Sequence, residues 1–151
     1  MGFKFWLPLP MLLNVSYNNK EITAKIDGEV GKPFTLKERF ALKGIGSPKL
    51  FITATSIEIR NLLILDNNLD SCNIELRPKG IIIRFRSLLE TYALVIPYYK
   101  LMVYKGDFAI YSLHRDKYFI KVRSDTKAIQ KFFRKLLDYK ADNAPTSIGD
   151  L

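Results

Sequence analysis

Sulfur and imidazole are nearly absent from this chain, which has one cysteine, Cys72, and one histidine, His114, among 151 residues. A lone cysteine excludes an internal disulfide, so the expected home is the reducing cytoplasm. Cys72 fits a small buried position at the start of a strand, and His114 fits an exposed turn. Far apart in the chain, the two offer little of the ligand clustering that metal or covalent catalysis needs. No G-x-S-x-G, H-E-x-x-H or C-x-x-C occurs. The tract IDGEVGKP holds Gly28, Gly31 and Lys32, but its glycines are too close for a phosphate loop and Pro33 stands where a hydroxyl is required; a hairpin turn is expected there. The carboxylates Asp66 and Asp70 fall in a solvated loop. We therefore expect no catalytic residue, metal, cofactor or small-molecule substrate. Long hydrophobic runs are missing too, none approaching the roughly 20 residues that span a bilayer. The nearest, FWLPLPMLL at 5–13, contains two prolines and lacks a cleavage site. It is expected to pack on the domain as an extended segment, with Phe3, Phe5 and Trp6 as an interfacial anchor the alternative.

The chain does have apolar residues (48%) sufficient for a core, and its length suits one domain. It also has a lopsided charge. Residues 100–140 carry 11 Lys/Arg against 4 acids, so +7 of the net +9 lies in that stretch. Such asymmetry suits an anionic partner or a solvated basic face.

The apolar pattern is mostly of period two. Ile22, Ala24 and Ile26 alternate with charged and polar residues, which predicts a short strand. FTLKERFALKGIGSP is ambiguous in period and ends in loop punctuation. In KLFITATSIEIR the alternation of Leu50 and Ile52 resumes at Ile57 and Ile59 after a bend near Thr55, predicting two strands or one bent strand. A turn is expected at Asp66-Asn67-Asn68 and a hairpin at Pro78-Lys79-Gly80. Strands follow over TYALVIP, YKLMVYKG and DFAIYSL, the last joined to KYFIKVR through His114-Arg115-Asp116. Within these, Ile81, Ile83 and Phe85 oppose Arg84 and Arg86, while Tyr118, Ile120 and Val122 oppose Lys117, Phe119, Lys121 and Arg123. From Ser124 the period changes. Ile129, Phe132, Phe133, Leu136 and Leu137 form the stripe of an amphipathic helix over 125–140, capped by Ser124 or Asp125.

Short strands, a hairpin and one C-terminal amphipathic helix follow the order of the pleckstrin-homology-like superfold. GSPKLFITATSIEIR at 46–60 resembles the G-x-L-x-x-T-x-x-x-L stretch of GRAM and bacterial PH-like domains, and YALVIPYYKLMVYKG at 92–106 is similar to their strand, I-P-Y, strand run. The resemblance implies an α+β, mainly β fold: a PH-like antiparallel barrel or bent sheet over 35–140, closed at one end by the helix. Residues 1–34 would be an N-terminal extended segment on that domain and 141–151 a flexible tail. It further implies a non-enzymatic binding module for a protein partner or an anionic lipid surface, cytoplasmic or peripheral at the membrane. Lipid-binding members concentrate basic residues around the first hairpin loop, whose counterpart is expected near 44–49, where only Lys43 and Lys49 are basic. The anionic-ligand surface is expected instead at Arg84, Arg86, Lys117, Lys121 and Arg123, joined by Lys131 and Lys135 if the helix lies beside it. The alternative is a nucleic-acid binder stacking bases on Tyr98, Tyr99, Tyr104 and Tyr111 beside Lys100 and Lys105.

Overall fold

The computed structural model describes residues 12–65, 70–106 and 109–143. It contains β1 (Leu12–Asn14), α1 (Lys20–Val30), α2 (Leu36–Ala41), β2 (Leu50–Thr55), α3 (Ile57–Leu63), β3 (Ser71–Arg77), β4 (Gly80–Ser87), β5 (Glu90–Pro97), β6 (Met102–Gly106), β7 (Ile110–Arg115), β8 (Tyr118–Arg123) and α4 (Lys127–Asp142). The fold is α+β and mainly β. The expected turn at Asp66-Asn67-Asn68 falls largely outside the described residues, as do Phe3, Phe5, Trp6 and all but 141–143 of the expected tail.

The first correction concerns residues 20–30, a helix and not a strand. Asn19 caps it, its side chain accepting from the N–H groups of Glu21 (2.8 Å) and Ile22 (3.2 Å). Ile22, Ile26 and Val30, four apart, form the stripe that packs on Ile82, Ala93 and Val95. Three isoleucine and alanine positions at 22, 24 and 26 fit alternation equally well, and the cap and the sheet surface decide. IDGEVGKP is accordingly the last turn of α1 and its cap. Gly31, at φ 86°, donates its N–H to the Asp27 carbonyl at 2.9 Å. The second correction is at Ile57 and Ile59, which begin α3. Ile59 and Leu63, four apart, are its buried side. The ambiguous tract at 34–48 contains α2, opened by a capping box in which Thr35 and Glu38 each accept the other's backbone N–H. The N-terminal segment expected to be extended thus supplies, within its described part, one three-residue strand and a helix.

All strand pairs are antiparallel, in the order β1-β5-β4-β3-β2-β8-β7-β6. Strand β2 serves both halves. Leu50 and Phe51 pair with β3, then Ile52, Ala54 and Thr55 pair with β8 across a register shift. A bulge of this kind bends a strand and increases its twist. The sheet is open, with β1 and β6 at its edges; Arg115, buried on β7, donates from Nη1 to the Val95 carbonyl of β5 at 2.8 Å.

The β3–β4 hairpin turns at Pro78-Lys79 as expected. Gly80 follows for a reason of space, since a Cβ there would lie 2.4 Å from the Ile96 carbonyl oxygen and 2.5 Å from a Val30 methyl. The β7–β8 turn falls at Asp116-Lys117, later than expected, which leaves His114 within β7 and not in a turn.

Ile81, Ile83 and Phe85 share the concave face with Leu113, Ile120 and Val122, and α4 fills it with Ile129, Phe132, Phe133 and Leu136. Phe133 is fully buried and stacks on Tyr111, with centroids 4.1 Å apart. The helix is where its stripe predicted, but Thr126 caps it by accepting from the Ile129 N–H. Cys72 lies in the same core, where burial pushes its thiol up to about 12.

Candidate binding face

The convex side of the sheet is covered unevenly. Over β4 and β5 it is buried by α1, through Ile82, Ala93 and Val95. Over β6, β7 and β8 no helix packs on it among the described residues. Register brings Met102, His114 and Phe119 into one row of this open part, and Tyr104, Ser112 and Lys121 into the next. Rings dominate it. Tyr104 meets His114 edge-on at 5.2 Å, and His114 stacks on Phe119 at 5.4 Å. Lys121 Nζ stands 5.9 Å from the Phe119 centroid, and Arg123 Cζ 5.0 Å from that of Phe51. Desolvation by these neighbours, and then the Lys121 charge, lowers the His114 pKa below its ordinary value, favouring the neutral ring.

The expected anionic-ligand residues separate into groups. Lys121 and Arg123 lie on the open face. Arg86, exposed on β4, lies one residue beyond the Cys72–Phe85 pair and hence beside Ser71, which pairs with Phe51, the ring under Arg123. Arg84 is on the same side of the sheet but is bonded from Nη1 to Glu75 Oε1 at 2.6 Å. Lys117 sits in the β7–β8 turn, 3.3 Å from Glu58. The two helix lysines do not join this surface, because α4 packs on the concave side. Lys131 is exposed there, and Lys135 donates to the carbonyls of Leu42 (2.8 Å) and Gly44 (3.1 Å). Lys43 and Lys49 precede β2, whereas the first hairpin connection is 56–70, with Arg60 as its basic residue.

A second polar grouping was not foreseen. Arg77, buried at the end of β3, donates to Glu75 (2.5 Å), Asp27 (3.1 Å) and the Gly31 carbonyl (2.8 Å). Burial works against the Glu75 carboxylate, but hydrogen bonds from Arg77 and Arg84, with their charges, outweigh it and hold its pKa below the usual range. The group borders a cleft of about 320 Å³ between α1 and the sheet, lined also by Tyr17, Asn19 and Thr23. Glu75 and Arg77, two apart, were legible as neighbours on one strand face; Asp27 was hidden by the misassigned helix. Each charge here is answered within the cluster, which fits a clamp fastening α1 to β3.

Of the four tyrosines considered for base stacking, Tyr98 and Tyr111 are buried, the first donating its hydroxyl to the Arg77 carbonyl at 3.2 Å. Tyr99 and Tyr104 are exposed. Tyr104 points to the convex face and Lys105 to the other, where its ammonium lies 5.9 Å from the Tyr111 ring. Among the described residues no three His, Cys, Asp or Glu side chains gather as a metal site, and no helix is long and apolar enough to cross a membrane. Comparison with protein-family models, curated proteins and solved structures gave no match to this chain.

Proposed function

We propose that this chain is a non-enzymatic binding module of pleckstrin-homology-like architecture that takes a protein partner bearing acidic groups on the open convex face of β6–β8. The architecture is supported by the meanders β2–β5 and β6–β8, the pairing of β2 with β8, and the terminal helix. The observation that carries the function is the uneven cover of the convex face: α1 buries one half and leaves Tyr104, His114, Phe119, Lys121 and Arg123 accessible on the other. Rings give contact area at little entropic cost, and cations beside them select acidic groups. Protein fits this face better than lipid because aromatic side chains outnumber the cations on it. Bases have only Tyr99 and Tyr104 to stack on, which weighs against nucleic acid. A cytoplasmic location rests on the single reduced cysteine and belongs to the same proposal.

The test is selection from a randomised peptide library, followed by calorimetry on the selected peptide. Selected sequences should be rich in Asp and Glu. Lys121→Glu with Arg123→Glu should weaken binding by about tenfold or more and flatten its salt dependence. Peptides without acidic enrichment, equal binding by the variant, or tighter binding to an oligonucleotide would contradict the reading.

A further inference from the structure

The end of the molecule that carries α3 also gathers exposed aliphatic side chains. While Ile59 and Leu63 enter the core, Ile57 and Ile64 on the other side of α3 are 67% and 68% exposed, and Leu65 follows just beyond. The β4–β5 hairpin turns at Leu88 and Leu89, the second 86% exposed. Ser87 Oγ donates to the Leu62 carbonyl, which fastens this hairpin to α3 and makes the two groups parts of one tip. Leu88 holds a φ of 57°, a left-handed conformation that glycine or asparagine adopts far more readily than leucine. An apolar group of this size on a surface marks an interaction site.

The tip's shape and charge decide the partner. Its leucines and isoleucines project from a helix and a hairpin, so a protein would need a matching socket, whereas a bilayer interface receives projecting aliphatic groups in any arrangement. Arg60 and Arg86 are exposed beside them. Of the nearby acids, Glu58 is engaged by Lys117 and Glu90 has its Oε2 buried; Asp70 is the exposed exception. We propose that this tip inserts into the interface of an anionic lipid bilayer, with Ile64 and Leu89 at the acyl boundary and Arg60 and Arg86 at the level of the phosphates. Affinity then comes from apolar burial with electrostatic assistance. The inference does not depend on the convex-face proposal, which concerns the opposite half of the sheet.

The experiment sediments the full chain at low salt with vesicles of phosphatidylcholine and phosphatidylserine in equal parts, beside vesicles of phosphatidylcholine alone. Binding should favour the anionic vesicles, and Ile64→Ser with Leu89→Ser should reduce partitioning by about tenfold or more. Leu89→Ser alone should give a smaller loss with unchanged thermal unfolding. Phe40→Ser, at an exposed aromatic on α2, should change nothing. Because Cys72 is buried, a polarity-sensitive dye can be placed selectively at Leu89→Cys, and its emission should shift to the blue on the vesicles. Equal binding to neutral vesicles, unchanged partitioning of the double variant, or a dye that still reports water when all protein is bound would overturn the proposal. So would self-association of the wild type that the double variant abolishes, which would assign the tip to a second copy of the chain.

Discussion

Arg77 is among the most heavily engaged side chains in the molecule, holding Glu75, Asp27 and the C-terminal carbonyl of α1 together. Its side chain is 8% exposed, so removing it strands two partly buried carboxylates; Arg77→Ala is expected to cost about 3–5 kcal/mol, measured by urea unfolding. The same cluster gives the stability a pH dependence. Glu75 has a folded pKa below its unfolded value of about 4.3, so it contributes stability above that pH, and the contribution is lost as pH falls through the folded pKa. Glu75→Gln should therefore be less stable than wild type at neutral pH and lose less on acidification below about pH 4. Parallel curves for the two proteins across that window would refute the assignment.

Among the elements, α4 was legible because its stripe of Ile129, Phe132, Phe133 and Leu136 has a period no strand can share. Its anchor is Phe133, and Phe133→Ala is expected to cost about 3–5 kcal/mol in thermal or urea unfolding; equal stability would contradict its place against Tyr111. The strands β3, β4, β5, β7 and β8 were legible from alternation and hairpin residues. The two misread elements failed for one physical reason. In α1 and α3 the isoleucines stand two apart, at 22 and 26 around Ala24 and at 57 and 59, where short runs satisfy either period. What separates the cases is outside the run: the Asn19 cap and the cover of Ile82 and Val95 for α1, the break at Thr55 and the core position of Leu63 for α3. The misreading propagated, hiding Asp27 from Arg77.

For the whole molecule, alternation told which basic residues leave the core, and Lys121 and Arg123 are where it put them. It could not tell which of them share a surface. That depends on strand order, which places β3 and β2 between β4 and β8, and on α4 lying across the concave side from the β8 basics. Pairing of charge was equally hidden, since Lys117–Glu58 and Arg84–Glu75 join segments far apart or across a hairpin. The result is a bent sheet with two sides in different use: a packed concave side and a convex side that α1 covers only in part.

That open half of the convex side is the centre of the functional account, and backbone amide NMR of the full chain titrated with the selected acidic peptide tests it most directly. The account predicts that the largest shifts fall on β6–β8, at Tyr104, His114, Phe119, Lys121 and Arg123, and vanish in the Lys121→Glu, Arg123→Glu variant. Shifts concentrated instead around Tyr17, Asn19 and Arg77 would place the binding site in the cleft under α1 and contradict it.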